Sequence, residues 1–426
     1  MTGELDAEYR GRTPRSAEAF ARAGRFLPGG ETRSVTYYPP YPTVIVEGRG
    51  ARLFDADGNE YVDLVNNYTS LVHGNAYRPA TEAIAAALER GIAFASVHEK
   101  QVDLAEELVR RIPSVERVRF TNSGTEAGIL AVRLARHATG RRKVLLFDGG
   151  YHGSAPSLLP EDPDAVTVPY NDVAAARAAV GDEFAAVVAE PFLGAGGVVP
   201  AAPGFLAALQ ELAHTHGALF LLDEVQSLRN GFGGMQSTLG LRPDLTMLGK
   251  IIGGGLPIGA VGGRAELLAR TASSSPGHLS HSGTFNGHVV AAAAGLVTLR
   301  DLDAAAIVRL DRAARRLGEE ITASGRAAGL PVTVTRAGSI LNVHFTDVAP
   351  ATGSEVRTDD PRTSALHIAL MNAGIYTTPR GMINLSTALS SGDLSAVADA
   401  YAAAFGRVRD GQRSGACSGA VDVVRG

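Results

Sequence analysis

Three short stretches of the chain put reactive side chains where ordinary sequences seldom do. The first is Phe120-Thr121-Asn122-Ser123-Gly124-Thr125-Glu126-Ala127. A β-prone run ends there, Gly124 permits a tight turn, and hydroxyl residues stand at the start of a helical pattern. Free N–H groups, the positive end of a helix dipole and two hydroxyls together suit an anion, most naturally a phosphate. Taken alone, an ordinary N-cap explains the same residues. The second stretch, Leu219-Phe220-Leu221-Leu222-Asp223-Glu224-Val225-Gln226, sets two acids directly after an apolar strand. A carboxylate in that position is costly to desolvate unless it meets a cation or a donor. For Glu224 a capping role is sufficient. The third, Asp244-Leu245-Thr246-Met247-Leu248-Gly249-Lys250, ends another apolar strand on a lone lysine, with a glycine-rich run following. Burial of such a lysine favours its neutral, nucleophilic amine.

A phosphate cradle, a strand-end aspartate and a desolvated lysine are jointly what pyridoxal phosphate requires. Its aldehyde takes a lysine amine, its ring nitrogen a carboxylate, its phosphate a helix N-terminus. Gly149-Gly150-Tyr151-His152-Gly153 adds an aromatic side chain able to stack on the ring. His278 and His281 have a metal-like H-x-x-H spacing but no third ligand, so no metal is expected. His214 and His216 fall at the end of a predicted helix, where interaction with its dipole explains them.

The elements that must position these groups follow from the hydrophobic pattern. Apolar runs predict strands over 117–121, 143–147, 185–190, 218–223 and 244–248, and amphipathic spacing predicts helices over 126–138, 173–180 and 204–214. That alternation implies an α/β fold with a mostly parallel sheet between helical layers, whose ligands collect at the C-terminal strand ends. An antiparallel meander over 42–47, 51–55 and 60–64 precedes it, turning at Asp55-Ala56-Asp57-Gly58. After it come a long helix over 303–323, strands near Val332 and over 340–345, and two more helices, which read as a smaller α+β domain. The division expected is an N-terminal segment 1–64, a large domain 65–310 and a small domain 311–426, with 414–426 a weakly structured tail.

Of the 426 residues, 45% are hydrophobic and 20% charged, which excludes wholesale disorder. Forty basic against 44 acidic residues give a net charge of −4, with no long basic run, so neither nucleic acid nor membrane is expected as a partner. The single cysteine, Cys417, rules out an intramolecular disulfide or a thiolate metal cluster. No apolar run approaches the roughly 18–20 residues of a membrane span. The first residues lack the basic and apolar regions of a signal peptide. A soluble cytoplasmic protein is the expectation.

With these residues in place, the chain resembles the class III (fold type I) pyridoxal-phosphate aminotransferases along nearly its whole length. The likeness is carried by Asn122-Ser123-Gly124-Thr125-Glu126-Ala127, Gly150-Tyr151-His152-Gly153, Asp223-Glu224-Val225, Leu248-Gly249-Lys250 and Gly283-Thr284-Phe285-Asn286. The resemblance implies a large domain with a sheet of the seven-stranded type. By it, Lys250 carries the cofactor aldehyde and Asp223 pairs with the ring nitrogen. Ser123, Gly124 and Thr125 hold the phosphate, Tyr151 and Val225 cover the two ring faces, and Gln226 sits near the ring hydroxyl. Thr284 reaches the phosphate of a neighbouring subunit, which implies a homodimer with shared sites.

Within the family, Pro28-Gly29-Gly30 and Gly253-Gly254-Gly255-Leu256-Pro257 are similar to glutamate-1-semialdehyde aminomutases. Arg33-Ser34-Val35, Tyr68-Thr69, His281-Ser282-Gly283-Thr284-Phe285-Asn286 and Thr378-Pro379-Arg380-Gly381 resemble β-amino-acid aminotransferases of the β-phenylalanine type more closely. That likeness makes Arg33 and Arg380, with Tyr68 beside them, the binders of substrate carboxylates. Planar guanidinium groups grip carboxylates through two parallel hydrogen bonds. Gln226 replaces the methionine of that subgroup, and Asn66-Asn67 make a more polar pocket wall, so aryl, aliphatic and polar side chains all stay open. The expectation is a transaminase moving an amino group from a β-amino acid or a relative to a 2-oxo acid. The alternatives are a mutase or epimerase on the same fold and a catalytically silent protein that keeps the cofactor pocket.

Overall fold

The computed structural model describes residues 3–419. Its centre is a seven-stranded sheet built from β1 (Arg117–Thr121), β2 (Lys143–Phe147), β3 (Ala165–Val168), β4 (Phe184–Ala189), β5 (Leu219–Asp223), β6 (Leu245–Gly249) and β7 (Gly259–Gly263), in the order β1-β7-β6-β5-β4-β2-β3. β7 runs antiparallel to both its neighbours and the other pairings are parallel. Alternate side chains of each strand enter different cores. Val144, Leu146, Leu221 and Met247 pack against the helix Gly124–Thr139, whereas Leu145, Phe147, Phe220 and Leu222 pack with Leu209 of Phe205–Thr215. Both faces are therefore covered, as the continuous apolar runs require.

The five expected strands and three expected helices are present, with ends shifted by one or two residues. β3 and β7 were not expected. β7 reads Gly-Ala-Val-Gly-Gly, a composition depleted in strands, yet its glycines meet a packing need. A Cβ on Gly259 would lie 2.1 Å from the Ser123 carbonyl oxygen, so only glycine lets this strand pass the phosphate turn.

The meander forms as Ile45–Arg49, Arg52–Asp55 and Glu60–Asp63, and Ile375–Tyr376 joins its far edge in parallel. A three-stranded antiparallel sheet (Thr333–Ala337, Ile340–His344 and Met382–Asn384) packs with the helices Ala304–Ala327, Pro361–Asn372 and Ser391–Gly419. The tail expected to be weakly structured is helical as far as Gly419, and 420–426 lie outside the described residues.

Between the meander and the main sheet, Asn66, Asn67, Tyr68 and Thr69 all have positive φ, from 47° to 79°. A left-handed turn of four non-glycine residues is unfavourable, and it survives because its groups are fixed from several sides. Asp63 Oδ1 accepts the amides of Val65 and Asn66 at 2.9 and 2.8 Å. Asn66 Nδ2 donates to the Asn384 carbonyl at 2.6 Å. The guanidinium of Arg229, only 1% exposed, donates to the carbonyls of Thr69 and Leu385 and to Ser339 Oγ.

Thr69 is the costliest member, being β-branched at φ 79° with a buried hydroxyl that finds no partner among the described residues. Thr69→Gly removes a left-handed penalty of about 1–2 kcal/mol and an orphaned hydroxyl. It gives up a methyl of about 0.8 kcal/mol and adds about 0.5–1 kcal/mol of chain entropy. The expected outcome is a gain of about 1 kcal/mol in urea unfolding, and a loss of stability would show that the turn is not strained.

Candidate active site

Every strand-end group singled out in the sequence lies on one edge of the sheet. Asp223 closes β5, Lys250 follows β6, Tyr151 and His152 follow β2, and Ser123 follows β1. Ser123, Gly124, Thr125, Tyr151, Asp223, Val225, Gln226 and Lys250 line a single cavity of about 170 Å³, together with His152, Gly153 and Glu190. Tyr151, Gln226 and Lys250 also line a second cavity of about 370 Å³, into which Arg33, Tyr68 and Arg380 project. Thr284 borders neither; it is exposed in the loop before Val289–Asp301, beside the exposed ring of Phe285.

The anion turn is organised as its sequence demands. Ser123 caps the helix, its Oγ accepting the Glu126 amide at 3.1 Å, which leaves the earlier N–H groups directed into the cavity mouth. Gly153, at φ 114°, lies so close that a Cβ there would stand 2.4 Å from Thr125 Oγ1. Val225 packs against Gly124 from the other side.

Asp223 is 6% exposed and fully engaged: Oδ1 accepts the Val225 amide at 2.9 Å and Oδ2 is 2.9 Å from His152 Nδ1. Burial pulls the His152 pKa down, but the hydrogen bond and charge of Asp223, with the charge of Glu190, outweigh it and leave the imidazole raised. The imidazole thus sits against the Asp223 carboxylate as a hydrogen-bonded partner. Burial lowers the Lys250 pKa, against the opposing charges of Asp223 and Glu190. Lys250 forms no ion pair with any described carboxylate, and its backbone holds φ 51°. An amine and a carboxylate thus face a common space without collapsing together.

Glu190, which follows β4, has no counterpart among the predicted site residues. Its oxygens accept the amides of Tyr151 and Gly194 at 3.0 and 3.1 Å, and burial pushes its pKa up to about 7. An acid directly after an apolar strand was the available signal, the same that marked Asp223. The motif Gly150-Tyr151-His152-Gly153 points to Tyr151 and leaves the part of His152 to be found in its contact with Asp223. Glu224 is a structural cap: fully buried, it accepts the amides of Met235 and Gln236 and the hydroxyl of Ser227. His214 and His216 serve more than a helix dipole, since each contacts a carboxylate, Asp244 at 2.9 Å and Asp182 at 3.0 Å.

The small cavity fits pyridoxal phosphate. It offers hydroxyls and amides for a phosphate, a buried carboxylate, an unpaired amine, and an aromatic and an aliphatic face. Gln226 Oε1 is buried with no hydrogen-bond partner among the described residues, an acceptor suited to a donor such as a ring hydroxyl.

Residues 34–160 and 154–393 match the family model described as aminotransferase class-III. The chain belongs to the class III aminotransferases. It is 39% identical to the β-phenylalanine transaminase of Variovorax paradoxus over 92% of both chains. It is 37% identical to a glutamate-1-semialdehyde 2,1-aminomutase of Brevibacillus brevis, over 89% of this chain and 95% of the other. The solved ω-transaminase of Sphaerobacter thermophilus superposes with a TM-score of 0.88 at 40% identity, covering 92% of this chain and 98% of its own. As a class III aminotransferase the protein is a transaminase whose cofactor is pyridoxal 5'-phosphate.

Two outcomes test the site. Borohydride reduction of the yellow holoenzyme is expected to fix the cofactor on Lys250, and Lys250→Ala to abolish that attachment. Peptide mapping that found the label on another lysine would remove Lys250 from its place. Glu190 generates the second. Its folded pKa, about 7, lies above its ordinary value of 4.5, so the folded state holds the extra proton. Stability tied to this group is therefore present at acid pH and is lost as pH rises from about 4.5 to about 7. Glu190→Gln loses one amide acceptor at every pH but removes this slope. The variant is expected to gain on the wild type by on the order of 2–3 kcal/mol between pH 5 and pH 8 in thermal melts. Parallel stability curves for the two proteins would place the titration elsewhere.

Proposed function

We propose that this transaminase takes its amino group from a β-amino acid, or a close relative, and passes it to a 2-oxo acid. The observation that carries the reading is that Arg33 and Arg380 share the large cavity with Lys250 while, among the described residues, no carboxylate holds either. Arg33 donates to Asn67 Oδ1 at 3.0 Å and stands 5.8 Å over the Tyr68 ring, an arrangement that aims the guanidinium without neutralising it. A carboxylate gripped at this rim leaves the substrate amine directed inward to Lys250. Val35, Val343, Val356 and Met382 supply apolar surface for the remainder of the substrate.

Bound at the small cavity, pyridoxal phosphate supplies an aldehyde for the amino group and a ring that draws electrons from the substrate carbon. Lys250 would hold the aldehyde, and its free amine would move the proton at the substrate carbon. Asp223, hydrogen-bonded to His152, would pair with the ring nitrogen. Ser123, Gly124 and Thr125 would hold the phosphate, Tyr151 and Val225 would enclose the ring, and Gln226 would accept from its hydroxyl. Thr284 lies outside the cavities of its own chain, which supports its serving the phosphate of a second copy in a homodimer. The division into segments 1–64, 65–310 and 311–426 is part of the same reading.

The near-equal likeness to an aminomutase favours one second reading, in which the amine returns to the same carbon skeleton. Stoichiometric consumption of a 2-oxo acid separates the two, because a mutase consumes none.

The test of the first reading is the half-reaction with a β-amino acid set against an amine that lacks the carboxylate. Losing a charge-assisted pair at the mouth of a site costs roughly 1.5–3 kcal/mol, or about ten- to a hundred-fold in rate. Arg33→Ala or Arg380→Ala is expected to slow the β-amino acid by that much and the plain amine by far less in single-turnover spectra. Equal losses on both would make the arginines structural and remove the support for a β-amino acid.

A further inference from the structure

Among the described residues Arg229 is the largest side chain that is fully buried, and no carboxylate pairs with it. No step of the reaction uses it. A buried guanidinium without a counter-charge is costly, and an apolar residue of similar volume would hold the same core more cheaply. What the guanidinium adds is geometry. Its N–H donors lie in one plane and can take acceptors from separate segments at fixed angles.

Three segments meet on it. Nη1 donates to the Thr69 carbonyl at 3.2 Å, Nη2 to the Leu385 carbonyl, and Nε to Ser339 Oγ at 3.1 Å. The same segments are tied to one another beside it. The Leu385 amide donates to the Ser339 carbonyl at 3.0 Å, and the Asn384 amide to the Leu64 carbonyl at 2.7 Å. Asn384 Nδ2 donates to the Val65 carbonyl at 2.9 Å. Asn230 Oδ1, one residue on from Arg229, accepts the Ser339 amide and hydroxyl at 3.0 and 2.9 Å.

Each arginine of the large cavity hangs from one of these segments. The Tyr68 hydroxyl, beside Thr69, donates to the Val35 carbonyl at 2.7 Å, while Asn67 Oδ1 accepts from Arg33 at 3.0 Å. The left-handed turn therefore holds both the head of Arg33 and the backbone next to it. Arg380 lies in the turn from Thr378 to Met382, closed by the Met382 amide on Thr378 Oγ1 at 2.9 Å. The strand Met382–Asn384 carries that turn directly to Leu385. Arg229 itself follows Asp223 by six residues. One planar group thus connects the strand end that bears Asp223 to both arms of the arginine rim. The small cavity fixes where the amine of a substrate must lie, and the two arms fix where its carboxylate must lie. The span between them decides how many carbons can separate the two groups.

We propose that Arg229 is a positioning residue that sets this span, and that through it the enzyme distinguishes a β-amino acid from its α-amino homologue. The proposal rests on the reading of Arg33 and Arg380 as the carboxylate binders.

Single-turnover conversion of the cofactor in the holoenzyme tests it, with 3-aminobutyrate, its homologue 2-aminobutyrate, and 2-aminobutane, which has no carboxylate. Arg229→Lys keeps the charge but loses the planar fork. It is expected to slow 3-aminobutyrate about tenfold and to lower the preference over 2-aminobutyrate by about as much. The rate with 2-aminobutane, which does not use the span, is expected to fall less than about threefold. Ser339→Ala removes one of the three acceptors and is expected to lower the same preference about threefold, which keeps the test open where Arg229→Lys does not fold. In an Arg33→Ala background, Arg229→Lys is expected to cost 3-aminobutyrate less than it does alone, because residues acting as one unit are not additive. Equal slowing of all three amines would make Arg229 structural and overturn the proposal. So would an unchanged preference in both variants, or a wild type that does not discriminate between the homologues. An Arg33→Ala variant indifferent to the carboxylate would remove the reading beneath the proposal. A sensitive Arg33→Ala beside silent Arg229→Lys and Ser339→Ala would remove this proposal alone.

Discussion

The active edge of this protein depends on keeping a buried amine and a buried carboxylate near each other but unpaired. Asp223 and Lys250 end or follow adjacent parallel strands, with Asp223 in register with Met247, three residues before the lysine. Left to themselves, such groups close into an ion pair, the cheapest way to bury both. Here each is drawn aside. His152 and the Val225 amide take both oxygens of Asp223, while the positive φ at Lys250 turns the chain sharply as it leaves β6. The space kept open is the small cavity. The desolvation that makes the empty arrangement costly also makes the amine reactive, since burial favours the neutral form of Lys250 that attacks an aldehyde.

A second constraint joins the rest of the molecule to that edge. Arg229 lies six residues after Asp223, in the short turn that leaves β5, and is buried with no carboxylate paired to it among the described residues. Burial alone lowers its pKa, to about 9, so it stays cationic near neutrality. Its donors reach Thr69 in the left-handed turn, and Leu385 and Ser339 in the C-terminal part of the chain. One side chain thus fixes Tyr68, and through Asn67 the aim of Arg33, relative to Asp223. Backbone strain in the turn is tolerated because this cation and Asp63 hold it from opposite sides, the usual circumstance in which such strain persists at a functional site.

Much of this was legible in the sequence, and the reason is local. Ser123, Asp223 and Lys250 each stand where an apolar strand ends, so hydrophobic periodicity alone set them on one edge of one sheet. What escaped was set by contacts between distant segments. β7 is too rich in glycine to read as a strand, because its composition answers to the Ser123 carbonyl across from it rather than to strand propensity. The left-handed turn gave no signal beyond a pair of asparagines, for besides Asp63 its supports, Arg229 and the Asn384 carbonyl, lie more than a hundred positions away. Glu190 obeyed the rule that marked Asp223, but a single acid at a strand end has no meaning until His152 is known to lie between the two.

Charge is divided between the two cavities in a way that orients a substrate before any contact forms. The small cavity holds Asp223 and Glu190, with His152 and Lys250 between them; the large one holds arginines and no acid. A zwitterionic amino acid entering this field finds its carboxylate drawn to the arginine rim and its ammonium repelled by the same guanidinium groups. Both forces turn the same end of the molecule toward Lys250. Among the polar side chains that both cavities share, Gln226 is neutral, so it can accept from a bound ring without adding a charge that would blur the division. A carboxylate introduced there would neutralise the rim from below and orient the entering amino acid less strongly. A neutral amide at that position is therefore as much a part of substrate orientation as the arginines opposite it.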